Sequence, residues 1–130
     1  LDNLASGARV HLFRGSQAMR AGNLEVALAE FRAAVAAAPE NPSARLNLGA
    51  ALAQSGQLEP AIKELERALD LGLSGVNLSK THFNLGALEA MTGRPEPAAE
   101  HLRQALRWNP QNQAARSLLE RIESRSGSSR

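Results

Sequence analysis

Residues 46–69 read LNLGAALAQSGQLEPAIKELERAL. Two stretches of good helix formers flank Ser55-Gly56-Gln57, and a glycine at such a break suits the left-handed conformation that ends a helix. Glu59 then favours the positive end of a new helix dipole, and Pro60 falls in a first turn, where a missing N–H costs nothing. The same pattern returns at 83–110 as FNLGALEAMTGRPEPAAEHLRQALRWNP, and its second half stands at 27–42 as ALAEFRAAVAAAPENP.

Aligning the three blocks puts unit starts at Ala8, Pro42 and Ser79. The first step is 34 residues and the second 37, so about three residues are inserted around Gly72–Asn77. A fixed period of this size marks a repeat architecture. Position 8 of the unit is Gly15, Gly49 and Gly86; position 15 is Gly22, Gly56 and Gly93; position 20 is Ala27, Ala61 and Ala98; position 27 is Ala34, Ala68 and Ala105. Small residues at positions 8, 20 and 27 let paired helices approach closely. Larger side chains at position 7 and at position 24 (Phe31, Leu65, Leu102) fill the space left. Pro39 and Pro110 stop the second helix of their units, with Leu73 breaking that pattern in the middle, and Asn41-Pro42 reads as a cap followed by a first helical residue.

Composition agrees with helices. Ala and Leu are abundant, whereas Val, Ile and Thr together supply eight residues, and the aromatics are Phe13, Phe31, Phe83 and Trp108. A sheet needs β-branched and aromatic side chains to cover its faces, while Ala, Leu, Glu, Gln and Arg lose little freedom in a helix. The expected helices are 5–21, 24–37, 42–55, 59–71, 78–92, 96–108 and 112–124. The last sets Ala115, Leu118, Leu119 and Ile122 on one face and Arg116, Glu120, Arg121 and Glu123 elsewhere, as a closing helix requires. Trp108 is expected to pack beneath it, the alternative being a convex contact surface.

This layout resembles the tetratricopeptide repeat (TPR) family over roughly residues 8–111. The resemblance implies an all-α fold, a right-handed α-solenoid of three TPR helical hairpins plus a C-terminal capping helix. Its expected divisions are an N-terminal extension at 1–7, repeats at 8–41, 42–78 and 79–111, the cap at 112–124 and a disordered tail at 125–130. Two departures stand out. The family's aromatic at position 4 is here His11, Arg45 and His82, and its aromatic at position 11 is Ala18, Leu52 and Glu89.

The family lines a concave groove with unit positions 2, 5, 6, 9, 12 and 13. Carried over residue by residue, the first unit offers Arg9, Leu12, Phe13, Ser16, Met19 and Arg20. The second offers Ser43, Leu46, Asn47, Ala50, Ala53 and Gln54, and the third Lys80, Phe83, Asn84, Ala87, Ala90 and Met91. Such a wall suits an extended peptide or an amphipathic helix: Asn can hydrogen-bond a peptide backbone and Met adapts to varied apolar groups. The implied role is that of an adaptor or scaffold binding another protein. One subtype of the family clamps an acidic C-terminus with Lys, Asn, Asn, Lys and Arg at five positions. Here these are Leu12, Ser16, Asn47, Lys80 and Asn84, so only Asn47 and Lys80 match and that specificity is not expected.

Catalysis is not expected, nor a cofactor. The serines show no nucleophile-elbow pattern, and Gly72-Leu-Ser-Gly75 lacks the Lys-Ser/Thr of a phosphate loop. No metal site is expected: His11 and His82 lie two units apart, and His101 forms no H-x-x-x-H or H-E-x-x-H run. Glu64, Glu66 and Asp70 are interleaved with Lys63 and Arg67, which reads as a solvated, salt-bridged face.

Fifteen bases against thirteen acids leave a charge of +2. Residues 1–24 and 94–130 are mildly basic and 25–93 mildly acidic, far from the basic stripe of a nucleic-acid binder. The absence of cysteine excludes disulfides and leaves the compartment open, cytoplasmic or periplasmic. No apolar run reaches the ~18–20 residues that span a bilayer. The chain begins at Leu1 without Met, as a processed chain or an excised domain would. Its Ala and Arg usage hints at a GC-rich bacterial source. Two alternatives to groove binding are self-association through an apolar first hairpin (Val10, Phe13, Leu24) and a regulatory role within a larger multidomain protein.

Overall fold

A computed structural model describes residues 2–128, and the side chains of residues 7–126. Among the described residues the regular elements are seven α-helices: α1 (Asp2–Arg20), α2 (Leu24–Ala37), α3 (Pro42–Gln54), α4 (Leu58–Leu71), α5 (Gly75–Met91), α6 (Pro95–Trp108) and α7 (Gln113–Ser128). The chain divides into two compact units, Leu1–Gly72 and Leu73–Arg130.

In the first unit α1 pairs with α2 and α3 with α4, while α2 also packs on α3. In the second, α5 pairs with α6 and α7 lies against α6, touching α5 as well. Each hairpin turns by one repeated device. Gly22, Gly56 and Gly93 adopt φ of 78°, 84° and 79°, a left-handed conformation that needs no Cβ. The amide of the following residue returns to a carbonyl of the preceding helix, Asn23 to Ala18 at 2.8 Å, Gln57 to Leu52 at 2.9 Å and Arg94 to Glu89 at 2.8 Å. Carbonyls orphaned at the helix end are thereby satisfied.

The hairpins close on small residues. Ala27, Ala34, Ala61, Ala68, Ala98 and Ala105 are fully buried, with Leu65 and Leu102 beside them. A Cβ built on Gly49 or Gly86 would meet Leu65 or Leu102 at 2.8 Å, and one on Gly15 would overlap the Phe31 ring. Helix starts follow the expected chemistry. The Asn41 side chain accepts from the amides of Ser43 and Ala44, with Pro42 beginning the helix. Asn23 accepts from Val26 and Asn112 from Ala115.

The differences from the sequence expectation lie at insertions and ends. The loop after α4 is short, Gly72 to Ser74, and the three inserted residues form an added turn at the start of α5. α1 begins three residues earlier than expected. α7 runs four residues further, through part of the expected tail, and residues 129–130 lie outside the described residues. Position 7 is a buried leucine in the second and third repeats, Leu48 and Leu85, whereas Arg14 of the first is exposed. The closing helix behaves as its pattern implies, with Ala115 buried, Leu118, Leu119 and Ile122 packed toward Leu102 and Ala105, and its charges exposed. No helix among the described residues is long and apolar enough to cross a membrane.

Candidate functional site

Three stripes of side chains follow from helical spacing. On α1, Arg9, Phe13 and Arg20 are exposed, and Leu12, Ser16 and Met19 are half-buried. Phe13, a large apolar ring, keeps 63% of its surface open. On α3, Asn47, Ala50 and Ala53 are half-buried and Gln54 is exposed. Leu46 departs from the expectation: only 5% exposed, it belongs to the core of the first unit and is not available as a wall residue. On α5, Lys80 and Met91 are exposed, and Phe83, Asn84, Ala87 and Ala90 are half-buried.

The α5 stripe opens at each end into a cleft. The first, about 540 Å3, is lined by Val76, Lys80, Phe83, Trp108, Asn109 and Asn112. The added turn of α5 builds one wall of it, because Val76 stands on that turn and is 81% exposed. Trp108, expected beneath α7, is instead 54% exposed: it is the last residue of α6 and its ring faces this cleft. Lys80 is its one cationic lining residue. The second cleft, about 400 Å3, has Ala90, Pro95, Leu118 and Ile122 as its apolar surface and Arg121 and Arg125 at its edge. Sequence reasoning named Lys80, Phe83 and Ala90 but missed Val76, Asn109, Asn112 and the α7 residues, since these lie outside the repeat positions carried over.

A second constellation sits at unit positions 4 and 23. In the first hairpin His11 Nδ1 lies 2.6 Å from Glu30, and in the second Arg45 donates to Glu64 at 3.0 Å and to the Pro39 carbonyl at 3.2 Å. Glu64 is therefore not part of a purely solvated face; it ties α4 to α3. Arg67 pairs with Glu40, while Glu66 and Asp70 remain on the exposed side. In the third hairpin both positions are histidine, and the rings of His82 and His101 lie 5.5 Å apart, tilted by 32°. The acid comes from position 11: Glu89, 4% exposed, holds His101 Nδ1 at 2.6 Å. His82 Nδ1 is buried without a hydrogen-bond partner. Burial, then the neighbouring His101, lowers the His82 pKa from the ordinary imidazole value of 6.5. Among the described residues no three His, Asp or Glu side chains are arranged to hold a metal ion.

With this geometry, comparison with known proteins is direct. The family model described as tetratricopeptide repeat matches residues 40–108, more than half of the chain. The chain belongs to the tetratricopeptide repeat family. Among curated proteins it is 47% identical over 55 residues to the TPR repeat-containing thioredoxin TTL4 of Arabidopsis thaliana; the match covers 42% of this chain, which spans 8% of that relative's length. Among solved structures, the Arabidopsis OM64 TPR domain superposes with a TM-score of 0.85 at 20% identity, covering 94% of this chain and 98% of that one. The first TPR of Spaghetti (RPAP3), solved bound to the HSP90 peptide SRMEEVD, superposes with a TM-score of 0.83 at 20% identity, covering 94% and 97%. At these identities the structural likeness speaks for the fold. Family membership brings the general character of a protein-interaction module.

Proposed function

We propose that this chain works by binding rather than catalysis, holding a segment of another protein against the first helix of its last hairpin in an adaptor role. The observation that carries the reading is the α5 stripe. Small, apolar and amide side chains run along one helix face and open into clefts that offer apolar surface beside a cation. An occupant of complementary chemistry is a peptide or helix with bulky apolar side chains next to carboxylates. The apolar groups would leave water in the clefts, worth about 25 cal/mol per Å2 of area covered, and the carboxylates would meet Lys80 and Arg121. Asn84 on α5 supplies a donor and an acceptor for a peptide backbone. The five-residue carboxylate clamp is not the basis of recognition, because Leu12, Ser16 and Asn84 stand where three of its polar or cationic groups belong.

Selection of displayed random peptides on the immobilised chain tests the reading. Recovered peptides are expected to be rich in acidic and large apolar residues, and to lose binding to a Lys80→Glu, Trp108→Ala double variant. Peptides without that bias, or bound equally by the variant, would contradict it.

Self-association has one observation in its favour: Val10, Phe13 and Val26 are all exposed on the first unit. A molar mass that rises with concentration in sedimentation, and that Phe13→Ser abolishes, would move the reading toward assembly.

A further inference from the structure

We propose that His82, His101 and Glu89 form an acid-sensing cluster that loosens the α5–α6 hairpin as the pH falls below neutrality. The equivalent places in the first two hairpins carry complementary groups, His11 with Glu30 and Arg45 with Glu64. In the third, two bases face each other and the single buried carboxylate, Glu89, pairs with His101 alone.

Protonation chemistry separates the two rings. A proton on His101 Nδ1 meets the Glu89 carboxylate at 2.6 Å. On His82 the sealed atom is Nδ1, which has no acceptor. With its proton on Nε2, neutral His82 leaves a bare lone pair there, a modest cost. The cation puts an N–H at that atom, and a buried donor without a partner is costly. It also places positive charge beside His101. Other charges do not offset this. On α5, Lys80 is exposed; on α6, Glu100 and Arg103 are exposed and pair with each other; on α7, Arg116, Glu120, Arg121, Glu123 and Arg125 are all exposed.

The sign follows from linkage. The folded-state pKa of His82 lies below its unfolded value. Above the ordinary imidazole value both states are neutral and the hairpin has its full stability. Below it the unfolded chain takes a proton that the folded chain resists, so stability is lost as the pH falls from about 6.5 toward the folded-state value. One such proton changes the opening equilibrium by at most about tenfold per pH unit. Release of a bound segment in acid would follow only if the binding reading above holds, so the test uses no partner.

Amide hydrogen exchange of the full 130-residue chain is compared at about pH 7.5 and about pH 5.5, after correction for intrinsic exchange chemistry. The α5 and α6 amides are expected to lose protection at the lower pH by more than those of α1–α4, and His82→Phe, a ring of similar size that cannot titrate, to remove the excess. An equal loss in both units, or an undiminished excess in His82→Phe, overturns the proposal. Should that variant not fold, the imidazole titration of the unaltered chain followed by NMR decides instead. His82 titrating below the ordinary imidazole value of 6.5 supports the cluster, and His82 titrating at or above it refutes it.

Discussion

Leu65 of α4 fills the place that a Cβ on Gly49 of α3 would need: its Cγ and Cδ2 lie 2.8 Å from that point, and the Ala61 carbonyl oxygen lies 3.3 Å away. Gly86 stands in the same relation to Leu102 and to the Ala98 carbonyl. A methyl group at either glycine forces packed atoms apart, so Gly49→Ala and Gly86→Ala should each cost about 1–3 kcal/mol. Gly7 is the control, since it lies in α1 with nothing within 4 Å of its would-be Cβ. Gly7→Ala should gain about 0.5–1 kcal/mol from helix propensity alone. Urea unfolding of the three variants checks the contrast in sign.

The turn glycines make a different demand, on backbone and not on space. Gly56 has φ of 84° and no atom within 4 Å of its would-be Cβ. Gly56→Ala should therefore destabilise by about 1–2 kcal/mol, and Gly56→Asn by less, because asparagine tolerates the left-handed region better. Equal losses for the two, measured by thermal unfolding, would mean that something other than φ is at stake.

The Arg45–Glu64 pair joins α3 to α4 at 3.0 Å, with both side chains about one-fifth exposed. Its geometry and partial shielding lift it above a free surface pair. A double-mutant cycle with Arg45→Leu and Glu64→Gln should give a coupling of about 1 kcal/mol. Additive single effects would show the contact to be energetically idle.

Partner capture should depend on exposed residues whose loss leaves the fold intact. Val76→Asp, Lys80→Glu and Trp108→Ala should each weaken a selected peptide by about tenfold or more, with circular dichroism and melting temperature near those of the parent chain. Leu46→Ala serves as the contrast. Buried in the first unit, it should lower stability by about 2–5 kcal/mol, and any binding loss should follow that unfolding.

The repeat itself was legible because each of its residues acts locally. A glycine in a left-handed turn and a buried alanine between paired helices are demands that recur in every unit, asparagine caps start α2, α3 and α7, and the expected helix ends fall within about one residue of the observed ones except at the starts of α1 and α5 and the end of α7. What the sequence hid depended on pairs brought together by folding. Glu89 reads as an odd substitution for an aromatic until His101 is found 2.6 Å away. His82 and His101 are nineteen residues apart in sequence, as His11 is from Glu30 and Arg45 from Glu64, and that shared separation was the signal available. Val76 and Trp108 were hidden differently. The inserted residues looked like loop, whereas they add a turn to α5 and so create a cleft wall that no repeat position foretells. Leu46 fell into the groove by family position, yet this chain uses it for packing.

The central claim is that the first-helix face of the last hairpin, α5 with the clefts at its ends, receives the partner. Titration of the isotope-labelled chain with a selected acidic, apolar peptide, followed by amide and indole shifts in NMR, addresses it directly. The account predicts the largest changes at Lys80, Phe83, Asn84 and the Trp108 indole. Changes concentrated instead at exposed residues of the second helices, such as Arg32, Glu66 and Arg103, would contradict it.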